Sequence, residues 1–232
     1  MDDVTTPDDF AALYARRFNG AERRAKARVW EVLCERFFSR YIDEDATVLD
    51  VGAGHCEFIN SVRAVRRIAV DANPELRTFA EPDVETHVAS PHELPFLDPA
   101  SVDVAFSSNF FEHLPSKEIL RRVVGEIRRV LKPGECLLVM GPNIRFLPGA
   151  YWDYYDHHLA LTERSVAELL TTSGFAIDEC LPKFLPYTVK GGLPSWRILV
   201  EAYLLLAPVS FQLLGKQFFV AARKSAQEKP TS

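Results

Sequence analysis

The run Tyr151-Trp152-Asp153-Tyr154-Tyr155-Asp156-His157-His158 packs imidazoles, carboxylates and aromatic rings into one short stretch. An imidazole of near-neutral pKa can deprotonate a hydroxyl, and a neighbouring carboxylate can fix its tautomer. His157 and His158 are therefore candidate general bases. Rings interleaved with acids also suit a sugar face or a planar molecule, which makes Tyr151, Trp152 and Tyr155 candidate acceptor contacts. The competing reading has the rings packing this loop on a sheet while the histidines bond locally, and both stand. Just upstream, Asn143 and Arg145 could orient an acceptor, Arg145 by pairing with a phosphate or carboxylate.

A second constellation lies earlier, in Thr47-Val-Leu-Asp-Val-Gly-Ala-Gly-His-Cys-Glu-Phe-Ile-Asn60. It reads as an apolar strand, a turn at Gly52 and Gly54, then a helix start. Glycines at such a turn let backbone N–H groups approach a ligand. Asp71 closes the next apolar run nineteen residues past Gly52, the spacing of an acid that takes ribose hydroxyls in a nucleotide-binding βαβ unit. The dinucleotide pattern wants Gly or Ala where Glu57 stands, and Asp50 precedes the turn. A pyrophosphate there would meet like charge in a poorly solvated cleft. A ribose-bearing cation without phosphates, S-adenosylmethionine, suits the acidic loop better than NAD.

The elements that must position these residues alternate. Strands are expected at 47–51, 67–71, 84–88, 101–107, 137–140, 175–180 and 217–223. Helices are expected at 55–65, after Pro74, at 116–131 stopped by Lys132-Pro133-Gly134, and from Thr162 to Thr172, closing at Gly174. Alternation of this kind implies an α/β, doubly wound parallel sheet with its ligand at the carboxyl ends of the strands. Residues 8–40 read as a helical preface, with Phe10, Leu13, Tyr14, Phe18, Val29, Leu33 and Phe37 at helical spacing. Its arginines Arg16, Arg17, Arg23 and Arg24 read as a solvated face before they read as an anion contact.

The motifs VLDVGAG, AVDANPEL, HELPFLDPASVDVAFSSNFFEHL and RRVLKPGECLLVMGPN, in that order, resemble the successive motifs of class I S-adenosylmethionine-dependent methyltransferases. GAGHCEFIN, SNFFEHLPSK, PGAYWDYYDHH, FLPYT and LLGKQFFVAARK further resemble a bacterial subgroup of methyltransferase type 11/12. The resemblance covers nearly the whole chain. It implies a Rossmann-like seven-stranded sheet whose last strand is antiparallel, the 8–40 helices as a lid, and a single domain over 1–225. Carried over residue by residue, it gives Asp50, Gly52 and Gly54 to the methionine end of the donor and Asp71 to its ribose. Asn73 flanks the ribose or adenine. Ser90 stands where the family often has an aspartate on the adenine amine, with His92 and Glu93 just beyond. Ser107 and Asn109, followed by Glu112 and His113, lie at the rim where acceptor meets methyl. The Glu-His-Leu triplet of relatives mostly shapes a loop, so His113 is structural first and catalytic second. The resemblance also implies an oxygen of a small-molecule or glycan-type acceptor, glycolipids included.

Composition bounds the rest. A hydrophobic content of 47% and a charged content of 25% are ordinary for a globular chain. A net charge of −5 argues against bulk nucleic-acid binding. The four cysteines are scattered, with no C-x-x-C pair and no histidine at ligand spacing, so no metal is expected and the compartment reads as cytoplasmic. No signal peptide is visible, and 226–232 reads as a disordered tail. Residues 185–215, with WRILVEAYLLLAPVSFQLL, are unusually apolar; Arg197, Glu201 and Pro208 interrupt any span. This insertion is expected to pack on the sheet, to form a dimer contact, or to sit peripherally on a membrane. Two rivals remain: an NAD(P)-linked oxidoreductase or epimerase, which lacks a Tyr-x-x-x-Lys pair, and an inactive donor-binding partner subunit.

Overall fold

A computed structural model describes residues 20–187 and 197–226. The chain forms a seven-stranded sheet in the order β3-β2-β1-β4-β5-β7-β6. The strands are β1 (Thr47–Val51), β2 (Arg66–Asp71), β3 (Glu85–Val88), β4 (Val102–Ser108), β5 (Leu131–Pro142), β6 (Phe175–Leu181) and β7 (Gln217–Lys224). β7 runs antiparallel to both its neighbours, whereas β1 to β5 pair in parallel. The doubly wound α/β sheet with an antiparallel last strand is the architecture the sequence implies. The order reverses between β1 and β4, and their carboxyl ends open the crevice where ligands of such sheets bind.

Successive side chains of a strand point to opposite faces, and the two cores show it. Leu49, Val51, Phe218, Val220 and Ala222 join one core with Leu120, Val123, Val124 and Ile127 of α4 (Lys117–Val130) and with Val166 and Leu170 of α5 (Glu163–Thr172). Val48, Val104, Phe106, Phe219 and Ala221 join the other, with Leu33 of α1 (Gly20–Arg36) and Phe38. This second core is aromatic: Phe58 stacks on Phe106 at 3.7 Å between centroids, and Trp30 meets Phe106 edge-on at 5.7 Å. Such contacts fix α1 against the sheet. Its expected upstream partners at 8–19 lie outside the described residues, as do 188–196 and 227–232 of the insertion and tail.

Three expectations change. The helix expected at 55–65 is α2 (Glu57–Ser61), one turn long, because Val62 is extended and β2 already starts at Arg66. Pro74 sits in the turn before α3 (Leu76–Phe79) rather than inside the helix. Lys132-Pro133-Gly134 does not separate α4 from β5; it is a bulge within β5, where the pairing jumps from Val102↔Leu131 to Val104↔Cys136 and Gly134 has φ 82°. The extra residues restore register after the helix runs directly into the strand.

The insertion contains α6 (Arg197–Leu205) and α7 (Val209–Leu214). Arg36 of α1 pairs with Glu201 at 3.2 Å, and the Tyr203 hydroxyl donates to the Phe184 carbonyl at 2.6 Å. One side is therefore docked on α1 and the aromatic core. The other side leaves Ile198, Leu205, Leu206, Val209 and Leu213 exposed. Among the described residues, no helix is long and apolar enough to cross a membrane.

Candidate active site

The glycine turn after β1 is held by β2. Gly52 N–H and Ala53 N–H both donate to the Val70 carbonyl, at 2.9 and 3.1 Å. Gly54 N–H donates to Asp71 Oδ2 at 2.8 Å, and Asn73 N–H donates to Asp71 Oδ1 at 2.8 Å. Cys56 N–H donates to the Ala53 carbonyl at 2.8 Å. Four of the loop's N–H donors are thus committed inside the protein, and α2 is too short to offer the dipole of a phosphate-binding helix. These commitments disfavour a pyrophosphate more strongly than Glu57 does. That carboxylate is 16% exposed and paired with Lys26 of α1 at 3.3 Å, so it is not the bare negative charge the sequence suggests.

Among the described residues, two of the three non-glycine positions with positive φ lie here: Cys56 and Asn109 adopt φ 61° and 49°, beside Gly52 and Gly54 at φ 73° and 50°, whereas Ala100 lies elsewhere. Such conformations cluster where surrounding structure forces a site into shape. A Cβ on Gly52 would lie 2.3 Å from the Phe110 ring, whereas one on Gly54 would meet nothing within 4 Å. The loops after β1 and β4 therefore touch through a position where only a hydrogen fits.

Asp50 is 3% exposed. Burial, then the charges of Asp71 and Glu57, push its carboxyl well above the usual range. Burial also raises Asp71, although the Asn73 and Gly54 N–H groups pull it back part of the way. A carboxylate has about four lone-pair directions, so Asp71 can hold the turn and still accept from a ribose hydroxyl. A cation next to Asp50 would favour its ionised form.

The other donor-side residues have local partners. Asn73 is buried and accepts from Glu75 N–H at 3.0 Å, which shapes the loop after β2. Ser90 Oγ lies 2.6 Å from His92 Nδ1, with Ser90 and Glu93 exposed. Ser107 is buried and donates to the Val51 carbonyl at 2.9 Å, tying β4 to β1. Asn109 is exposed and donates to Ser108 Oγ at 2.9 Å. Two residues not singled out from sequence position this rim: Glu126 accepts from Leu94 N–H at 3.0 Å, and Arg129 donates to the Leu97 and Leu94 carbonyls at 2.9 and 2.7 Å. Their i, i+3 spacing on α4 was the available signal.

On the acceptor side the structure separates the aromatic run into two sets. Trp152, Tyr155 and His158 face solvent, with Tyr155 94% exposed. Tyr151 is fully buried, and its hydroxyl donates to the Leu159 carbonyl and accepts from Leu161 N–H, so it braces the loop and has no face for an acceptor. Asn143 is also fully buried; its amide donates to Glu163 Oε2 at 2.6 Å and to the Pro182 carbonyl at 2.9 Å. Arg145 pairs with Glu163 too, through Nη1, while its side chain stays 42% exposed.

His157 is buried beside His113, their rings 4.9 Å apart, and next to Tyr151 and Tyr154. His113 Nδ1 lies 3.0 Å from the Asp156 carbonyl and 3.2 Å from Asp156 Oδ2. Burial pulls the His113 imidazole down, but the Asp156 hydrogen bond and the Glu112 and Asp156 charges outweigh it, leaving a net rise. Burial raises the neighbouring Glu112 carboxyl. The Glu112 carbonyl meanwhile accepts from His158 N–H at 2.8 Å and Leu159 N–H at 3.1 Å. The triplet after β4 thereby fastens the aromatic run after β5, which is a positioning role.

A family profile described as "Methyltransferase domain" matches residues 49–139. No curated protein matches the sequence significantly. Among solved structures, a chain from the complex of the Haloferax volcanii Trm112 methyltransferase activator with a methyltransferase is 19% identical, with a TM-score of 0.68, covering 97% of this chain and 100% of that one. A SAM-dependent methyltransferase from Archaeoglobus fulgidus is 22% identical, with a TM-score of 0.61, covering 93% of this chain and 100% of that one. Geranyl diphosphate C-methyltransferase from Streptomyces coelicolor is 15% identical, with a TM-score of 0.59, covering 82% of this chain and 76% of that one. The chain therefore has the fold of class I S-adenosylmethionine-dependent methyltransferases, and its residues 49–139 match the profile of a methyltransferase domain.

Proposed function

We propose that the protein transfers a methyl group from S-adenosylmethionine to an oxygen of a small-molecule or glycan-type acceptor. The observation that carries the donor half is the positive-φ glycine turn whose N–H groups are spent inside the protein while Asp50 and Asp71 lie beside it. The Streptomyces enzyme of the same fold was solved with S-adenosyl-L-homocysteine, which agrees with this donor. The donor supplies an electrophilic methyl on a sulfonium whose charge disappears in the transfer. Asp71 takes the ribose, and Asp50 favours positive charge nearby. The protein's remaining work is alignment and removal of the acceptor proton. His158 suits the proton removal, because it is exposed and its backbone is pinned to Glu112. Trp152 and Tyr155, exposed in the same run, offer ring faces to a sugar.

Titration calorimetry with S-adenosylmethionine tests the donor half. The parent is expected to bind, and Asp71→Ala is expected to bind at least tenfold more weakly, losing a charge-assisted hydrogen bond of about 1.5–3 kcal/mol. No binding by the parent, or equal binding by the variant, overturns it. Tight NADH binding in a fluorescence titration would instead favour the oxidoreductase reading.

The exposed ridge of Ile198, Leu205, Leu206, Val209 and Leu213 favours an acceptor carried on a lipid. Between Ala202 and Gly215 the sequence holds no charged residue, and Lys216 follows at its edge. Such a face can lie on a bilayer surface without spanning it. In liposome flotation the parent is expected to rise with the vesicles, and Leu205→Glu/Leu213→Glu to stay at the bottom. A parent that ignores liposomes and runs as a dimer by light scattering would assign the ridge to self-association.

A further inference from the structure

We propose that Glu112, His113 and His157 bind one divalent transition-metal ion of the zinc class. One ligand atom from each lies within 4.8 Å of the other two. One carboxylate and two imidazoles make a donor set that zinc and ferrous iron take in three-residue protein sites. The group is enclosed: Glu112 and His157 are 2% and 7% exposed.

The orientation of His113 is the second support. Its Nδ1 faces Asp156, at 3.0 Å from the backbone carbonyl and 3.2 Å from Oδ2. An oxygen acceptor on the far ring nitrogen is the usual outer partner of a ligating histidine, fixing the tautomer and leaving Nε2 with a lone pair. That Nε2 looks toward Glu112 Oε1 across 4.0 Å. The gap is too long for a hydrogen bond, so neither atom satisfies the other directly. A cation between them satisfies both. With metal–ligand bonds of about 2.0–2.2 Å, tetrahedral ligand atoms stand about 3.4 Å apart, so the cluster would contract by roughly an ångström.

The three residues come from two segments, the loop after β4 and the run after β5. An ion here would lock the acceptor side, where His158 and Trp152 are displayed, to the loop whose Phe110 ring abuts Gly52. This metal site goes beyond the donor reading and does not depend on it.

The test uses the full chain without a histidine tag, stripped with chelator and titrated with cobalt(II). One equivalent is expected to bind, with the visible bands of a low-coordinate cobalt site, and zinc is expected to displace it. His113→Gln and His157→Gln should each weaken binding at least tenfold, and Asp156→Asn by roughly 10–100-fold. His158→Gln should bind as the parent does. If circular dichroism shows that a histidine variant fails to fold, Glu112→Asp, which keeps the carboxylate but moves it, should still shift the bands. No cobalt bands, or unchanged binding in folded His113→Gln and His157→Gln, overturns the proposal. Calorimetry with S-adenosylmethionine on the metal-free protein is read separately, so a failure of either reading is distinguishable.

Discussion

Gly52→Ala is expected to destabilise the protein by roughly 2–5 kcal/mol and to abolish donor binding, whereas Gly54→Ala costs about 1–2 kcal/mol. Both glycines have positive φ, so an alanine at either pays the left-handed penalty of about 1–2 kcal/mol. Only at Gly52 does the new methyl collide, with Phe110 Cγ at 2.3 Å, Cδ2 at 2.5 Å and Cβ at 2.7 Å. Overpacking of this kind typically adds about 1–3 kcal/mol. Phe110 is itself packed against the core, so its ring has to be driven off the turn, and the loop carrying Asn109 and Glu112 moves with it. For a chain of this size the Gly52 variant should melt roughly 4–20 °C lower. Differential scanning calorimetry of both variants and of Gly52→Ala/Phe110→Ala checks the division. The double variant should recover the collision part and keep the conformational part. Equal melting points for the two single variants would refute the contact between the β1 and β4 loops.

The sequence displays what is local. Thr47–Val51, the glycine turn and Asp71 lie within one βαβ unit, so their spacing reports their geometry. The helix start at Thr162 is legible for the same reason, and the structure closes it with a Thr162–Ser165 capping box. Long-range pairing is where the reading fails. Glu57 looks like a bare charge until Lys26 arrives from α1, and Arg145 looks like an unpaired cation until Glu163 meets it. Tyr151 looks like a sugar platform, yet its neighbours Trp152 and Tyr155 face out while it turns in to hold Leu159 and Leu161. No periodicity announces that choice in an irregular segment. The grouping of Glu112, His113 and His157 depends on β4 and β5 lying side by side, which brings the loops at their carboxyl ends together. Ligand spacing along the chain could not show it.

With the acidity of Glu57 answered by Lys26, preference for a cationic ligand falls on Asp50, and its proton is the means of measuring it. Burial and the neighbouring Asp71 and Glu57 raise the Asp50 pKa, so the folded, ligand-free protein keeps a proton that the unfolded chain releases near about pH 4. The folded state then binds more protons than the unfolded state above that pH, and stability falls as pH rises toward the folded pKa. Asp71 and Glu112, also raised, act in the same direction. Melting temperature without donor is therefore expected to fall as pH rises above about 5. A positive ligand beside Asp50 reverses the balance by stabilising the carboxylate, so binding should release protons and tighten with rising pH, by up to about tenfold per pH unit for one proton. Calorimetry in buffers of different ionisation enthalpy reads that release directly. Asp50→Asn keeps the shape and removes the charge: donor affinity should drop about 10–150-fold, the loss of a charged hydrogen bond. Its pH dependence should flatten, while the ligand-free protein should lose part of its decline in stability toward alkaline pH. Proton uptake on binding, or an Asp50→Asn variant with the parental affinity and slope, would show that another group receives the positive charge.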